Sequence, residues 1–524
     1  MGKDKFLKGA LILTVAGLLV KIIGSVNRIL LSRLLGGEGI GLYQMAYPIY
    51  LLMLSVCSAG VPVAVSIIVA EKVAKNDYAQ AHRIFKVTLG LMAAFGLFFA
   101  LTLYCLAGFL VSSGWIRDSR AYYALVVLTP AVFFSSILAS FRGYFQGYQM
   151  MTPPAVSQVL EQLVRVMVMI GLAYFLLPRG LEYAAAGAAF GAVPGGLMGL
   201  LVLTWFYRKA RKEWKRKIEE QTATVAESVG SIAKRLVLLA IPVSCANLLI
   251  PVTSSIDMLL VPNGLGRAGF GVEAATTLFG YLTGMAQPLL MMAVIPTMSV
   301  AASLVPAVSE ACALQRPDEV LRKTASAFKI CVLLVVPASV GMWVLAGPIS
   351  GTLYGTMKAA PVIAHLAPSI AFLGIFQVTT GALQGIGKTT VPMWNMLFGA
   401  VVKAIAVWQL TSVAAFHILG AAWASNLNFA VVAAINVLFL YRNGIPFPLW
   451  DSLKILLASL CMGLAGRTAA MFFLDNSGVI AALVSGMAVS GLVYVGVVIL
   501  IGGLTREEAV QLPVIGKYIQ KVWN

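Results

Sequence analysis

The chain has 524 residues, of which 60% are hydrophobic and only 11% charged, with a mean hydropathy of +0.90. A soluble domain carries about a quarter charged residues, so these figures exclude a soluble globular protein and indicate an integral membrane protein. The net charge of +18 does not point to nucleic acid, because the basic residues sit in loops between apolar segments, as topology signals do.

The chain begins MGKDKFLKGALILTVAGLLVK, like a signal peptide. The apolar run continues past Lys21 without a small-x-small cleavage site, so it reads as a retained first span. With this span included, about fourteen apolar segments can be marked. They cover residues 9–34, 42–70, 84–112, 121–146, 154–177, 183–207, 236–262, 274–308, 324–350, 360–385, 391–413, 417–441, 452–474 and 478–503. The eighth is too long for one straight helix, and Pro288, Pro296 and Pro306 predict kinks there. With the amino terminus inside, the cytoplasmic side receives about 27 of the 38 Lys and Arg residues, the outside about 6 and the spans about 5. Both termini are then cytoplasmic.

The longest connection, residues 208–235, is strongly basic and divides the chain in two. The expected organisation is an N-lobe of six spans (1–207), the basic linker (208–235), a C-lobe of six spans (236–441), two further spans (442–503) and a cytoplasmic tail (504–524). In the tail, Thr505 and Glu508 fit a capping box, and Val514, Tyr518 and Trp523 fall on one apolar face. The fold class is therefore all-α and membrane-embedded, with two pseudo-symmetric lobes facing each other across a cleft.

The duplication is written into the sequence. FRGYFQGYQMMTPPAVSQVLEQLVRV from Phe141 matches TTGALQGIGKTTVPMWNMLFGAVVKA from Thr379 at a constant offset. Gly143 falls on Gly381, Gln146 on Gln384, Gly147 on Gly385, Pro154 on Pro392 and Arg165 on Lys403. Glu71 and Glu310 each end a span, and Gly187-Ala188-Ala189 matches Gly420-Ala421-Ala422. Six spans per copy give the copies one membrane orientation and an axis along the membrane normal. A two-fold membrane protein with ionisable residues at matching depth is the pattern of a transporter.

Gly17, Lys21, Gly24 and Arg28 share one face of the first span. At 1.5 Å per residue Lys21 lies roughly 18 Å from the inner surface, too deep to reach water cheaply, and Arg28 sits in the outer third. Arg33 and Arg467 read as snorkelling residues. Glu161 and Arg165, four apart in the fifth span, form either a structural pair along the helix or part of a site. Lys403 has Gly399 where Glu161 stands, so it is the cation with no acidic neighbour on its helix. Asp257 occupies the counterpart of Arg28, since SVNRILL aligns with SSIDMLL; it is either a gating partner of Arg28 or an aspartate near a helix end. Gln287, His365, Gln377, Asn395 and Asn426 either line the cleft or bond helix to helix. Together Lys21, Arg28, Arg165 and Lys403 make the cleft cationic, which suits an anionic, phosphate-bearing substrate. Six cysteines without CxxC spacing and three histidines predict no metal site, and no cofactor is expected. No sizeable polar loop with catalytic residues is present, so the reading is not an enzyme.

Several stretches carry a resemblance: GSVNRILLSRLLGGEGIGLYQMAYPIY from Gly24, SSIDMLLVP from Ser254, SLVPAVSEA from Ser303, GALQGIGKTTVP from Gly381 and the tail LTREE. Over essentially its whole length the chain resembles the multidrug/oligosaccharidyl-lipid/polysaccharide exporter superfamily, and within it the branch of stage V sporulation protein B and polysaccharide biosynthesis proteins. The resemblance implies a fourteen-span flippase in the bacterial cell membrane. It would move undecaprenyl-pyrophosphate-linked oligosaccharide or a peptidoglycan precursor, such as lipid II, from the inner to the outer leaflet. The implied partners are that lipid-linked anionic glycan, membrane lipids and cell-wall synthesis proteins, with the chain acting as a monomer. Of the basic-x-x-Gly-x-x-Arg-Asp pattern of related lipid II flippases, Lys21 and Gly24 match, while Asn27-Arg28 stands where Arg-Asp is expected. The alternative is a cation-coupled drug or metabolite exporter of the same fold, for which Asp257 is the comparable carboxylate.

Overall fold

A computed structural model describes residues 2–221 and 227–502. All regular structure among the described residues is helical. The first compact unit, to Gly284, holds α1 (Gly2–Cys57), α2 (Val61–Ala74), α3 (Tyr78–Ser112), α4 (Ala121–Val127), α5 (Thr129–Gly147), α6 (Thr152–Leu176), α7 (Leu181–Phe190), α8 (Ala192–Glu219), α9 (Val229–Arg267) and α10 (Val272–Gly280). The second, from Met285, holds α11 (Gln287–Ala293), α12 (Ile295–Ala313), α13 (Pro317–Val344), α14 (Ala346–Tyr354), α15 (Ala360–Leu366), α16 (Pro368–Gly385), α17 (Thr390–Leu410), α18 (His417–Arg442), α19 (Leu449–Ser477) and α20 (Val479–Leu500).

Twelve helices or helix runs among the described residues are long and apolar enough to cross a membrane. That number is compatible with about fourteen spans. The run Leu11–Ala74 is about 96 Å long at 1.5 Å per residue, three times the hydrocarbon thickness. It bends at Gly36, where φ is +67° and a side chain would be strained, between the two segments expected there. The 39-residue α9, which carries Pro242, Pro251 and Pro262 inside it, lies outside the twelve. In the long eighth segment α10 passes into a π-helical stretch, Tyr281–Ala286, before α11 and α12. The breaks fall beside Pro288 and Pro296, whereas Pro306 stays inside α12.

The stretch expected as a basic linker starts as helix, because α8 runs on to Glu219. Its Trp214 is buried among Tyr144, Phe145, Tyr148 and Tyr207, with ring centroids 5.0–5.9 Å away. Beyond it Glu227 pairs with Lys72, and Arg235 of α9 pairs with Glu71 of α2. By packing, α9 and α10 therefore belong with the first unit: a Cβ on Gly60 would stand 2.1 Å from Ala240 O, and one on Gly41 would stand 2.2 Å from Thr276 O. The tail 504–524 lies outside the described residues.

Duplication governs geometry as well as sequence. After α2, Asn76 takes φ +57°, with Asn76 N bonded to Val73 O and Asp77 N to Lys72 O. After α12, Gln315 takes φ +53°, with Gln315 N bonded to Cys312 O and Arg316 N to Ala311 O. Gln149 after α5 and Gly387 after α16 repeat the same two-bond helix stop. The matched glycines do matched work: a Cβ on Gly143 would meet Pro62 O at 2.8 Å, and one on Gly381 would meet Ala301 O at 2.8 Å. Likewise Gly147 abuts Val69 and Gly385 abuts Val308, both at 2.7 Å. The glycine turn of each repeat is thus a close-packing device inside its own unit.

Candidate functional site

Pro153 and Pro154 open α6, the helix that carries Gln158, Glu161, Gln162 and Arg165. Glu161 sits between two guanidiniums. Arg142 Nη2 of α5 donates to Glu161 Oε2 at 2.6 Å, and Arg165 Nη2 donates to Oε1 at 3.2 Å. Side-chain exposures are 20% for Arg142 and 15% for each of the other two, so the triad is largely withdrawn from solvent. Two cations on one carboxylate leave a net charge of +1. Such a cluster persists in a low-dielectric interior only while each charge keeps its partners.

A stripe of glycines at the N-cap and first turns of α8 lets α6 come close enough. A Cβ on Gly191 would stand 2.8 Å from Arg165 O, one on Gly195 2.9 Å from Glu161 O and Arg165 Cβ, and one on Gly199 3.2 Å from Glu161 Oε2. The spacing of four puts all three on one helix face. This stripe, and Arg142 itself, were legible signals that the sequence reading did not use.

Facing the triad from the second half of α1 are Tyr43, Tyr47 and Tyr50. Their rings step along the helix at 5.3 and 5.8 Å, and Arg165 interacts electrostatically with all three. The Arg28 guanidinium lies 5.9 Å from the Tyr47 ring centroid. Asn27 is buried and donates to Met169 Sδ on α6, which anchors the Asn-Arg step of α1. Gly24 faces Gln162, and Lys21, seven residues before Arg28, is exposed. The first unit thus brings Arg28, Glu161 and Arg165 into one cation-rich aromatic site, adds Arg142, and leaves Lys21 about 10 Å along the helix. Asp257 of α9 is 1% exposed. Arg33 and Arg467 are exposed.

Lys403 lies in the second unit and is 5% exposed. Its surroundings explain the mismatch in the repeat. A Cβ on Gly399 would stand 2.3 Å from Val432 Cγ2 and 2.5 Å from Asn428 Oδ1, so any side chain there would have to displace both. At the offset that matches Gly187 with Gly420, Asn428 and Val432 are the counterparts of Gly195 and Gly199. Large and small residues have changed sides: Glu161 over glycines in the first unit, a glycine under Asn428 and Val432 in the second. The counterpart of Arg142 is Thr380, whose hydroxyl accepts from Asn436 Nδ2 at 3.2 Å. The other polar candidates there join helices: Gln377 accepts from Thr297, Asn395 donates to Asn436 Oδ1, and Asn426 donates to His365 O.

A second polar cluster lies in the connection between α3 and α4. Asp118, 1% exposed, accepts from the Arg120 side chain at 2.8 and 3.0 Å and from Thr276 of α10 at 2.8 Å, while Arg120 also pairs with Glu38 at 2.7 Å. Burial pushes the Asp118 carboxyl up, but the bonds from Arg120 and Thr276 outweigh it and hold the group below the usual aspartate range. This cluster ties α1, α4 and α10 together, and spans alone gave no hint of it.

Comparison with known proteins shows what the chain as a whole is similar to. Residues 6–312 match a family model described as "Polysaccharide biosynthesis protein", and residues 282–408 match one described as "MatE". The chain is 30% identical to stage V sporulation protein B of Bacillus subtilis (strain 168), over 99% of this chain and 100% of that one. It is 27% identical to the lipid II flippase MurJ of the same organism, over 77% of this chain and 76% of the other. Among solved structures, a lipid II flippase MurJ in an inward closed conformation superposes with a TM-score of 0.68 at 16% identity, covering 94% of this chain and 98% of that one.

Proposed function

Because the chain belongs to the polysaccharide biosynthesis protein family, in the stage V sporulation protein B branch of the multidrug/oligosaccharidyl-lipid/polysaccharide exporter superfamily, we propose that it is an alternating-access flippase for undecaprenyl-pyrophosphate-linked oligosaccharide or peptidoglycan precursors. The observation that carries this reading is the Arg142–Glu161–Arg165 triad, net positive and held beside Arg28 and three tyrosines. A diphosphate is doubly anionic or more, and planar guanidiniums match its oxygens in paired hydrogen bonds. The tyrosines add rings against which sugar or guanidinium can lie. In this reading Arg28 and Arg165 bind the pyrophosphate, and Lys21 and Lys403 are the further cations that hold it during alternating access. The polyprenyl tail stays in lipid.

In this reading the protein sits in the bacterial cell membrane with both termini cytoplasmic. An inside-negative potential then drives each negative charge outward with about 2.3 kcal/mol per 100 mV. Arg28 and Asp257 are the pair that closes the outer mouth. The direct test is flipping of fluorescent lipid-linked oligosaccharide in proteoliposomes, with Lys21→Ala, Arg165→Ala and Lys403→Ala beside the unsubstituted chain. Loss of flipping in these variants supports the cationic site; normal flipping in all three overturns it. The buried Asp257 favours a second reading, a cation-coupled exporter. That reading requires transport to follow a Na⁺ or H⁺ gradient and to fail in Asp257→Asn, with no lipid-linked substrate needed.

A further inference from the structure

The first unit carries a groove of about 630 Å³ between α3 and α9, floored by the end of α1 and the start of α2. Its walls are apolar: Leu91, Phe95 and Phe99 on one side, Val237, Ile241 and Leu248 on the other. Its charged lining residue is Lys234, in the second turn of α9, at one end. From Lys234 to Leu248 the α9 wall is about 21 Å long.

We propose that this groove binds one acyl chain of an anionic phospholipid, with the headgroup phosphate at Lys234. Three observations support it. The groove opens where Val237, Leu238 and Ile241 of α9 are exposed, an apolar face suited to an occupant drawn from lipid. The α9 wall, about 21 Å from Lys234 to Leu248, has the length of one extended fatty acyl chain and is far shorter than an extended undecaprenyl chain. Its charge is also available. Among the neighbouring basic residues Lys72 pairs with Glu227, and Lys75 and Arg235 both pair with Glu71, whereas Lys234 has no acidic partner among the described residues and is exposed. A lone lysine above an apolar slot is complementary to a phosphate above a chain. A lipid seated there bridges α3 and α9, filling the space between them beside the Gly60–Ala240 contact. The assignment needs only a membrane-embedded chain, so its failure leaves the flippase reading untouched.

The test reconstitutes the full chain in phosphatidylcholine vesicles containing phosphatidylglycerol, either lipid carrying dibrominated acyl chains. Phe95→Trp serves as reporter, and the unsubstituted protein is the blank for its nine native tryptophans. At equal mole fraction, brominated phosphatidylglycerol should quench the reporter with an apparent affinity about fivefold above brominated phosphatidylcholine, the factor expected for one basic residue at an anionic surface. Lys234→Gln should abolish that preference and Lys234→Arg should keep it. Ala233→Phe, which fills the groove, should reduce quenching by both lipids. Equal quenching by the two lipids, a preference surviving Lys234→Gln, or quenching undiminished in Ala233→Phe would overturn the site. Relief of quenching by equimolar undecaprenyl phosphate would assign the groove to the carrier lipid instead.

Discussion

Replacing Glu161 by Gln tests whether the triad is a buried electrostatic unit or a solvated surface cluster. The substitution keeps shape and hydrogen-bonding atoms but removes the one negative charge between Arg142 and Arg165, at 2.6 and 3.2 Å. At an effective dielectric constant of about 20, a charge pair near 4 Å is worth about 4 kcal/mol before desolvation. Removing one partner from a buried ion cluster leaves a net loss of about 3–5 kcal/mol, because the remaining charges stay desolvated and uncompensated. Exposures of 15–20% admit some water, so the expected loss lies at the low end, about 3 kcal/mol. Thermal unfolding of the detergent-purified protein, followed by tryptophan fluorescence and size-exclusion chromatography, reads it. Arg142→Gln combined with Glu161→Gln should recover part of the loss, since one unpaired cation is easier to hydrate than two. A Glu161→Gln variant within about 0.5 kcal/mol of the unsubstituted chain would refute the reasoning and place the triad with ordinary surface ion pairs.

Three further outcomes follow from packing and titration. Gly195→Ala places a Cβ against Glu161 O and Arg165 Cβ at 2.9 Å; it should cost about 1–3 kcal/mol in the same unfolding assay and lower flipping by shifting Arg165. Gly399→Ala should be destabilising by a similar amount, and Asn428→Gly in the same chain should restore part of it, because the clash is with Asn428 Oδ1 and Val432. No recovery in that double variant would argue against the exchanged large-small packing. For Asp118 the folded carboxyl titrates below its unfolded value, so its contribution is fully present above about pH 4 and is lost as pH falls through the folded pKa. The difference in Tm between the unsubstituted chain and Asp118→Asn should therefore be constant from pH 7 to about 4 and shrink below it. A difference that holds unchanged to pH 3 would contradict that assignment.

Apolar run length and the rarity of charge within the runs determine that this chain is a bundle of membrane helices, since hydrocarbon admits only helices or closed barrels and runs of about 20 apolar residues are too long for barrel strands. Residue spacing also announced the duplication, down to the glycines of Gly143, Gly147, Gly381 and Gly385, which pack alike in both units. The same spacing, by placing Glu161 and Arg165 four apart, predicted their contact on one helix face. What lay beyond sequence is what depends on a neighbouring helix. Arg142 is nineteen positions from Glu161 along the chain and reaches it because α5 and α6 reverse at Gln149. The substitution of Gly399 for Glu161 looked like a lost charge; the structure ties it to the crowding of that position by Asn428 and Val432 on α18. The tyrosines of α1, the Asp118 cluster and the groove of Lys234 are likewise products of which helix lies beside which. Side-chain periodicity specifies the face a helix buries, whereas the partner that meets that face is selected by the packing of the whole fold.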